Sequence, residues 1–258
     1  ENTLLSQNKK RLFQKDKKEY SLRSLNSICI NIRNAKKKLK NINFFLKIID
    51  DNSKPKVIKL IKKIAIKNNI AFELSNLDID KYEDKMKFSN NRRMLAHNSH
   101  IFQSKEYALN SKYDLLYFVE DDYIHQPDAI EEMIYSYEKF STIYKKDIIM
   151  CPSDYPFLYN KFEHTNILTG YKKHWRRVNE SLCTYLISHN TLKINWKTYE
   201  KMFLNNFDPY EKPLHELYKK TQCFSPIPSL ALHMTNVNSA YGLSPLVDWL
   251  KIWKKNKY

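Results

Sequence analysis

The sequence predicts an α/β fold, and three features of its pattern support this prediction. Short apolar segments of strand length alternate with longer segments whose apolar residues recur every three or four positions, as on one face of a helix. Two of the apolar segments run directly into clusters of acidic residues. The chain has 258 residues, of which 42% are hydrophobic, so it is large enough to bury a sizeable core. We therefore expect helices packed against a sheet.

The first part of the chain begins with an ambiguous segment and continues with a regular alternation. In residues 21–32 the apolar side chains fit a helix at every third or fourth position and a strand at alternate positions, and we favour the helix. An apolar run at 43–49 predicts a strand, and 54–67 predicts a helix with one apolar face. A short strand at 70–75 and a helix at 91–110 follow.

The next predicted strand, 114–119, is strongly apolar and ends in three consecutive acids. Pro127 then opens a helix with further acids in its first turn, where the helix dipole favours them. The remaining predicted elements are a strand at 147–151, a β-rich stretch at 174–189, helices at 192–204 and 210–220, a strand around 223–233, and a terminal helix at 244–255.

Glycine is scarce, with only Gly170 and Gly242 in the chain. Loops that cradle phosphates with backbone N–H groups need several glycines close together, because the backbone there adopts torsions that other residues resist. The sequence therefore excludes a P-loop, a dinucleotide-binding glycine loop and the glycine-rich loop of nucleotidyltransferases. Any bound nucleotide has to be held by side chains and a metal ion.

The formal charge of +16 is concentrated at the beginning of the chain. Residues 1–63 carry 18 Lys and Arg against 5 Asp and Glu, a net charge of +13, whereas residues 64–258 carry 26 against 23, a net charge of +3. This basic segment favours attraction to anionic lipid head groups or to a phosphorylated substrate. A general bias toward lysine at solvated positions accounts for it equally well.

Cysteine usage and hydropathy point to an intracellular setting. The four cysteines are widely spaced, with no C-x-x-C pair, and we expect reduced and mostly buried thiols. The longest uninterrupted apolar stretches are about five residues, so we expect neither a membrane-spanning helix nor a signal peptide.

The most informative motif is Glu120-Asp121-Asp122, directly after the apolar strand at 114–119. Three adjacent carboxylates repel one another, and a fold tolerates them at a buried strand end when a cation compensates. Carboxylate oxygens suit Mg²⁺ or Mn²⁺, which proteins commonly hold with one or two carboxylates and substrate phosphates. The alternative is an acidic cap for the helix that Pro127 opens.

A second acidic pair, Asp50-Asp51, follows the strand predicted at 43–49. Alone, such a pair is more often a turn before a helix. Two acidic strand ends in one sheet, however, indicate a ligand site, because open α/β sheets bind ligands at the carboxyl ends of their strands.

Residues 43–140 resemble the nucleotide-sugar-dependent glycosyltransferases of the GT-A fold, especially glycosyltransferase family 2 and its spore-coat relatives. The shared pattern is strand-Asp50-Asp51-Asn52-Ser53, helix, strand, helix, strand-Glu120-Asp121-Asp122, then four intervening residues and Pro127-Asp128. The resemblance implies a single catalytic domain with one mixed central sheet and helices on both of its faces. It also implies a Rossmann-like nucleotide-binding half at about 1–150 and an acceptor-binding half, with the terminal helix, at about 151–258.

The same resemblance assigns roles to both acidic sites. It implies that Asp51, next to Asp50, hydrogen-bonds the nucleotide base. It implies that Glu120 and Asp121 contact the ribose and the donor sugar, and that Asp122, the last acid of this Glu-Asp-Asp form of the DXD motif, coordinates the metal.

The catalytic base is implied by a weaker match farther along the chain. Family members begin a helix with an acidic pair, and aligning that helix here places Glu211 at the base position, with Tyr210 in place of the preceding acid. Transfer with inversion needs a carboxylate within hydrogen-bond reach of the acceptor hydroxyl. Asp208 and Glu216 stay open as alternatives for this role.

Other candidates are less specific. His233 stands where the family often has a histidine that contacts the metal or the diphosphate, although a lone histidine is as often merely packed. Arg93, next to Arg92, is a candidate for the base or the phosphates. Asp154, Trp175 and Arg176 are candidates for the acceptor site, since sugar rings stack on aromatic faces; otherwise Trp175 is a core residue.

We therefore expect a glycosyltransferase that uses Mn²⁺ or Mg²⁺ and a nucleoside-diphosphate sugar, with UDP as the favoured carrier. The expected acceptor is a hydroxyl of a glycan or of a lipid-linked saccharide, in polysaccharide biosynthesis, and the expected location is the cytoplasm, with peripheral contact to the anionic inner face of the membrane. Two alternatives are a basic nucleic-acid-binding protein and a sugar nucleotidyltransferase. The first lacks a binding module and the second lacks its glycine-rich loop, so we expect no nucleic-acid partner.

Overall fold

The structure is a computed structural model that describes residues 12–86, 92–160, 162–204, 207, 209–234, 243–244 and 246–258. These residues form both helices and strands, which alternate most regularly in the first half, and the largest sheet has six strands of mixed orientation. The predicted α/β class is therefore confirmed.

The first helix, α1 (Lys17–Lys38), includes the segment 21–32, so the choice of a helix there is confirmed. Its last turn carries Lys36, Lys37 and Lys38, where positive charge interacts favourably with the helix dipole. The inward side of α1 contributes aliphatic residues to the hydrophobic core.

A β-α-β unit follows, formed by β1 (Leu46–Asp50), α2 (Pro55–Lys67) and β2 (Phe72–Asn76). The two strands are parallel, with Ile48 opposite Leu74. The proline at the start of α2 fits the first helical turn, where its missing N–H is not needed. All three predicted elements of this part are confirmed within a few residues.

The middle of the chain contains α3 (Asp80–Glu83), α4 (Arg92–Leu109), β3 (Leu115–Phe118), β4 (Tyr123–His125) and α5 (Ala129–Tyr144). The long helix, the apolar strand and the helix after the proline were predicted and are confirmed. The short elements α3 and β4 were not predicted.

The described residues of the second half contain one short 3₁₀ helix at Pro156–Asn160 and ten further elements. These are β5 (Ile149–Met150), β6 (Ile167–Thr169), β7 (His174–Val178), β8 (Tyr185–Ser188), α6 (His189–Ile194), α7 (Trp196–Leu204), α8 (Lys212–Tyr218), β9 (Cys223–Ile227), β10 (Ala231–His233) and α9 (Trp249–Lys255). The helix predicted at 192–204 is thus two helices that meet at Asn195, whose side chain donates a hydrogen bond back to the Thr191 carbonyl (2.9 Å).

The central sheet has the strand order β3-β8-β5-β9-β7-β6. β5 and β9 are parallel, and the other neighbours pair antiparallel. Successive residues of one strand point to opposite faces, so Ile149 enters the core that contains α4 and α6–α8, while Met150 enters the core that contains α1, α2 and α5. Helices therefore cover both faces of the sheet, as predicted.

The prediction of a single continuous sheet is wrong for four strands. β1 and β2 form a separate two-stranded sheet, and so do β4 and β10. At β1, Nε2 of His100 on α4 is hydrogen-bonded to the Ile49 carbonyl (2.9 Å), and this side-chain contact takes the place of a ladder bond to another strand.

Cys29, Cys151, Cys183 and Cys223 are all buried and free, as the sequence predicts. Burial raises the pKa of the Cys29 thiol to about 12, which keeps it protonated and inert at neutral pH. Within the described ranges, no helix combines the length and the apolar composition that crossing a membrane requires.

Candidate active site

Strand pairing brings the acidic motif next to the end of β10. After β3, a turn in which the Tyr123 N–H donates to the Glu120 carbonyl (3.4 Å) leads the chain into β4. β4 pairs antiparallel with β10, and the register sets Tyr123 opposite His233. The Met234 N–H donates to the Asp122 carbonyl (2.9 Å) and extends this pairing. The last acid of the motif therefore lies beside a histidine that is distant in the sequence.

Asp122 and His233 form a largely buried ion pair. His233 Nε2 lies 3.0 Å from Asp122 Oδ2, and their side chains are 14% and 13% exposed. The imidazole also stacks on the Tyr123 ring, with 4.9 Å between the ring centres. Burial alone would lower the pKa of His233, but Asp122 and the nearby carboxylates of Glu120 and Glu211 raise it to about 9. His233 is therefore an imidazolium at neutral pH.

Glu120 is held against β8. Its backbone N–H donates to Thr184 Oγ1 (3.1 Å), and the Thr184 hydroxyl donates to Glu120 Oε2 (3.2 Å). Burial raises the pKa of Glu120, and the Asp122 and Glu211 carboxylates raise it further. This carboxyl group therefore sits where negative charge is already in excess.

Glu211 is the residue before α8, where it occupies the N-cap position. The Cys183 thiol donates a hydrogen bond to Glu211 Oε1, with 3.9 Å between sulfur and oxygen. Burial raises the pKa of Glu211, although His215 and His233 partly offset this effect. The structure thus brings the predicted base close to the acidic motif, through elements that are far apart in the chain.

These groups form one cluster, which we call the acidic cluster: Glu120, Asp122, Glu211 and His233. Three carboxyl groups share it with one imidazole. Burial and the neighbouring carboxylates raise the pKa of Glu120 to about 8, so Glu120 is mostly protonated at neutral pH, and a divalent cation would favour its ionised form. Over the part of the chain that the structure describes, no group of three or more His, Cys, Asp or Glu is arranged to hold a metal by itself. The donor set fits a cation held by one or two carboxylates together with a phosphorylated ligand, as is usual for Mg²⁺.

Asp121 points away from the acidic cluster and toward the start of α1. Its carboxylate accepts a hydrogen bond from the Ser21 hydroxyl (2.7 Å) and lies 3.4 Å from Lys17 Nζ. The side chain is 55% exposed, so this ion pair is weak. Its predicted contact with the donor stays a prediction.

The second acidic pair lies at the carboxyl end of β1. The buried Asp50 accepts a hydrogen bond from the Ser53 N–H (2.8 Å), which makes it a local turn residue. Asp51 and Arg93 are exposed. Among the described residues, no hydrogen bond or ion pair joins Asp50 or Asp51 to the acidic cluster. The predicted base-binding role of Asp51 is therefore untested.

Residues of α4 that we did not assign to the site lie between the two acidic strand ends. His97 packs edge-on against Tyr210, with 5.4 Å between the ring centres, and His100 contacts the end of β1. Burial, together with His100 and Lys17, lowers the pKa of His97 to about 4, so this imidazole is neutral. The only feature of the sequence that could have pointed to these histidines is their spacing of three residues, which places both on one face of a helix.

Lys105 of α4 was also missed, and it is almost fully buried at 1% exposure. Its Nζ lies 4.3 Å from the centre of the Phe118 ring and 5.3 to 6.0 Å from three further rings, those of Tyr185, Tyr199 and Phe203. Burial lowers its pKa to about 8, although Cys183 and Glu120 act in the opposite direction. A cation is thus enclosed by aromatic rings behind the strand that carries the acidic motif.

The acceptor candidates separate into two groups. Asp154 and Arg176 form a buried ion pair (3.0 Å), and the Tyr159 hydroxyl donates to the same carboxylate (2.8 Å). The Arg176 guanidinium also lies 4.0 Å from the centre of the Tyr159 ring. Trp175 has no exposed surface and its Nε1 donates to Glu132 (3.0 Å), so the prediction that it stacks on a sugar is wrong and the core alternative holds.

A small cavity lies between the Asp154–Arg176 pair and the acidic cluster. Its volume of about 10 Å³ suits one water molecule, and its lining includes Asp154, Tyr155, Ser229 and His233. The Tyr155 hydroxyl is hydrogen-bonded to that of Tyr123 (2.7 Å). The Asp154–Arg176 pair is therefore a neighbour of the acidic cluster.

The three candidates for the catalytic base differ in their position. Asp208 lies outside the described residues. Glu216 is exposed and its carboxylate accepts two hydrogen bonds from Lys219 (2.8 Å each), so it faces solvent. Glu211 is the candidate that the structure places in the acidic cluster.

Comparison with known proteins adds no assignment. No family model matches the sequence, and no curated protein shows significant similarity to it.

Proposed function

We propose that the protein is a metal-dependent glycosyltransferase of the GT-A type that transfers a sugar from a nucleoside diphosphate, with UDP as the favoured carrier, to a hydroxyl group. The observation that carries this proposal is the acidic cluster at the carboxyl end of β3. Its excess of carboxylates suits a cation and a diphosphate, and the scarcity of glycine leaves side chains to hold the nucleotide.

Each residue of the site has a proposed role in binding the metal or the donor. Asp122 would hold Mg²⁺ or Mn²⁺, whose positive charge would favour departure of the diphosphate. His233 is hydrogen-bonded through Nε2 to Asp122, so it would hold this carboxylate in place beside the metal, and it is the candidate for a contact with the diphosphate. Glu120 and Asp121 would contact the ribose and donor sugar, and Asp51 and Arg93 the base or phosphates.

The reaction is a displacement at the anomeric carbon of the donor. The acceptor oxygen forms the new C–O bond while the bond between the anomeric carbon and the diphosphate oxygen breaks, and the bonding electrons leave with the diphosphate. The proton of the acceptor hydroxyl passes to the Glu211 carboxylate. Since burial raises the pKa of Glu211, this carboxylate is a stronger base than an exposed one. A single displacement of this kind inverts the anomeric configuration.

The acceptor would lie on the side of the Asp154–Arg176 pair, which borders the same cavity as His233. A carboxylate and a guanidinium offer acceptor and donor groups to sugar hydroxyls. The proposed acceptor class is a glycan or a lipid-linked saccharide, and the proposed site of action is the cytoplasmic side of a membrane.

A thermal-shift experiment tests the proposal. UDP-, GDP-, CMP- and dTDP-sugars are added with and without Mn²⁺, and at least one donor is expected to raise the melting temperature in a Mn²⁺-dependent manner. Asp122→Asn should lose this stabilisation. Asp84→Asn, a matched change at an exposed carboxylate, should keep it. If no donor stabilises the protein in either condition, the proposal is wrong.

A further inference from the structure

The outward side of α2 is a continuous basic surface. With about 100° per helical residue, Lys56, Lys59, Lys62, Lys63 and Lys67 fall within an arc of about 140°. All five are exposed, whereas the opposite side of the helix is buried in the core. We call these five lysines the α2 basic face.

The charge of this face is not balanced by acids. From residue 33 to 69 the sequence has 12 Lys and Arg and only two acids, Asp50 and Asp51. Asp50 is buried in its own turn. Among the described residues, none of the five lysines forms an ion pair. The last turn of α1 adds further lysines beside it, because Lys36 Nζ donates to the Asn69 carbonyl just after α2 (3.3 Å).

An apolar side chain stands in the middle of this basic arc. Ile66 belongs to α2 and is 68% exposed, with Lys62, Lys63 and Lys67 around it. A single exposed isoleucine is common on protein surfaces, but this one lies within a group of five exposed lysines. A cluster of lysines on one helical surface is typical of proteins that bind anionic lipid head groups, and the Ile66 side chain would enter the head-group region between them.

We propose that the α2 basic face docks the protein on an anionic lipid bilayer. Charge complementarity supports a negatively charged partner, and the composition of α2 favours a bilayer over nucleic acid. The helix has neither an arginine nor an aromatic residue, the side chains with which proteins stack on bases or hold phosphates bidentately. The docking inference does not depend on the proposed catalytic activity, because no residue of the acidic cluster takes part.

Vesicle sedimentation without nucleotide sugar tests the docking directly. The chain is expected to sediment with vesicles of phosphatidylcholine and phosphatidylglycerol, not with phosphatidylcholine alone, and NaCl should weaken the binding. A lysine near such a surface contributes about fivefold in affinity. The triple change Lys56→Gln, Lys59→Gln and Lys63→Gln should therefore weaken binding on the order of a hundredfold.

Matched controls separate position from total charge. Lys193→Gln, Lys197→Gln and Lys220→Gln remove the same charge from exposed positions on the side covered by α6–α8, and should leave binding nearly unchanged. Ile66→Ser should weaken the salt-resistant part of the binding, whereas Ile194→Ser, at a site with 70% exposure, should not. Circular dichroism confirms that each variant is folded.

Three results would overturn the proposal: equal loss in both triple variants, no binding to the anionic vesicles, or tighter, Lys56-dependent binding of single-stranded RNA than of the vesicles. The first would mean unspecific attraction by net charge, and the last would assign the face to nucleic acid.

Discussion

Replacing Lys105 by Met should stabilise the protein at neutral pH, although it removes a charge that contacts four aromatic rings. The reason is that the ammonium group is buried, and a cation in an apolar environment is costly. Methionine has nearly the same length and fills the same space without a charge.

The magnitude follows from the pKa of Lys105, which burial lowers from 10.5 to about 8. The difference corresponds to about 3 kcal/mol of free energy of unfolding below pH 8, where both states bind the proton. Cation–π contacts act against this cost, and at ring distances of 4.3 to 6.0 Å they contribute about 1 to 2 kcal/mol. Burial is the larger effect, so Lys105→Met should gain about 1 to 2 kcal/mol at pH 7.

Urea unfolding of both proteins at several pH values measures this gain. Between pH 8 and 10.5 the unfolded state of the wild type binds more protons than the folded state, so wild-type stability rises with pH and the gap should narrow. Lys85→Met, at an exposed lysine whose Nζ lies 5.2 Å from the centre of the Phe102 ring, should change stability by less than about 0.5 kcal/mol. A Lys105→Met protein that is less stable at pH 7, by an amount independent of pH, would refute the reasoning.

Three further predictions concern other sites. Glu211→Gln should abolish sugar transfer but keep donor-induced thermal stabilisation; retained turnover in a transfer assay would move the role of base to another residue. Gly170→Ala should destabilise by about 1 to 3 kcal/mol in urea unfolding, because its Cβ would lie 2.5 Å from the buried Trp175 ring. Burial acts to raise the pKa of Glu131, but Lys38 and Lys172 lower it on balance. In urea unfolding, the wild type should therefore be more stable than Glu131→Gln at neutral pH, and this difference in the free energy of unfolding should fade as the pH falls below 4.5. A gap that stays constant in acid would contradict the last prediction.

The elements predicted from the sequence are those that carry a long periodic signal. α1, α2, α4 and α5 each present one apolar side over several turns, and β3 is a short apolar run with a clear end. The missed strands are too short for such a signal: β4 has three residues, and β6 has three with Ile167 exposed. Alternation along a strand also does not tell which strands share a sheet, and this is why the separation of β1 and β2 was not predicted.

Only those residues of the candidate site that are adjacent in the sequence could be predicted to lie together. The adjacency of Glu120, Asp121 and Asp122 is visible in the sequence, and so is the electrostatic problem that it creates. The residues that surround Glu120 come from other parts of the chain, since Thr184 immediately precedes β8 and Lys105 lies on α4. Their roles depend on tertiary contacts. Trp175 shows the opposite difficulty, because a tryptophan suits a sugar platform and a core equally well, and only its burial decides between them.

The pairing of β4 with β10 brings His233 next to the acidic motif and so forms the candidate site. Without it, Asp122 would be one of three exposed acids at a strand end, which is a common and inert feature. With it, Asp122 gains one positive partner, His233. The same imidazole offsets the effect of burial on Glu120 and Glu211 only in part, so the pKa of both groups stays raised. A cluster designed only for stability would match its charges or replace the excess carboxylates by amides. Here burial and the neighbouring carboxylates raise the pKa of Glu120 to about 8, and a divalent cation bound beside it would favour loss of its proton. The crowding of carboxyl groups therefore suits the proposed metal-dependent transfer.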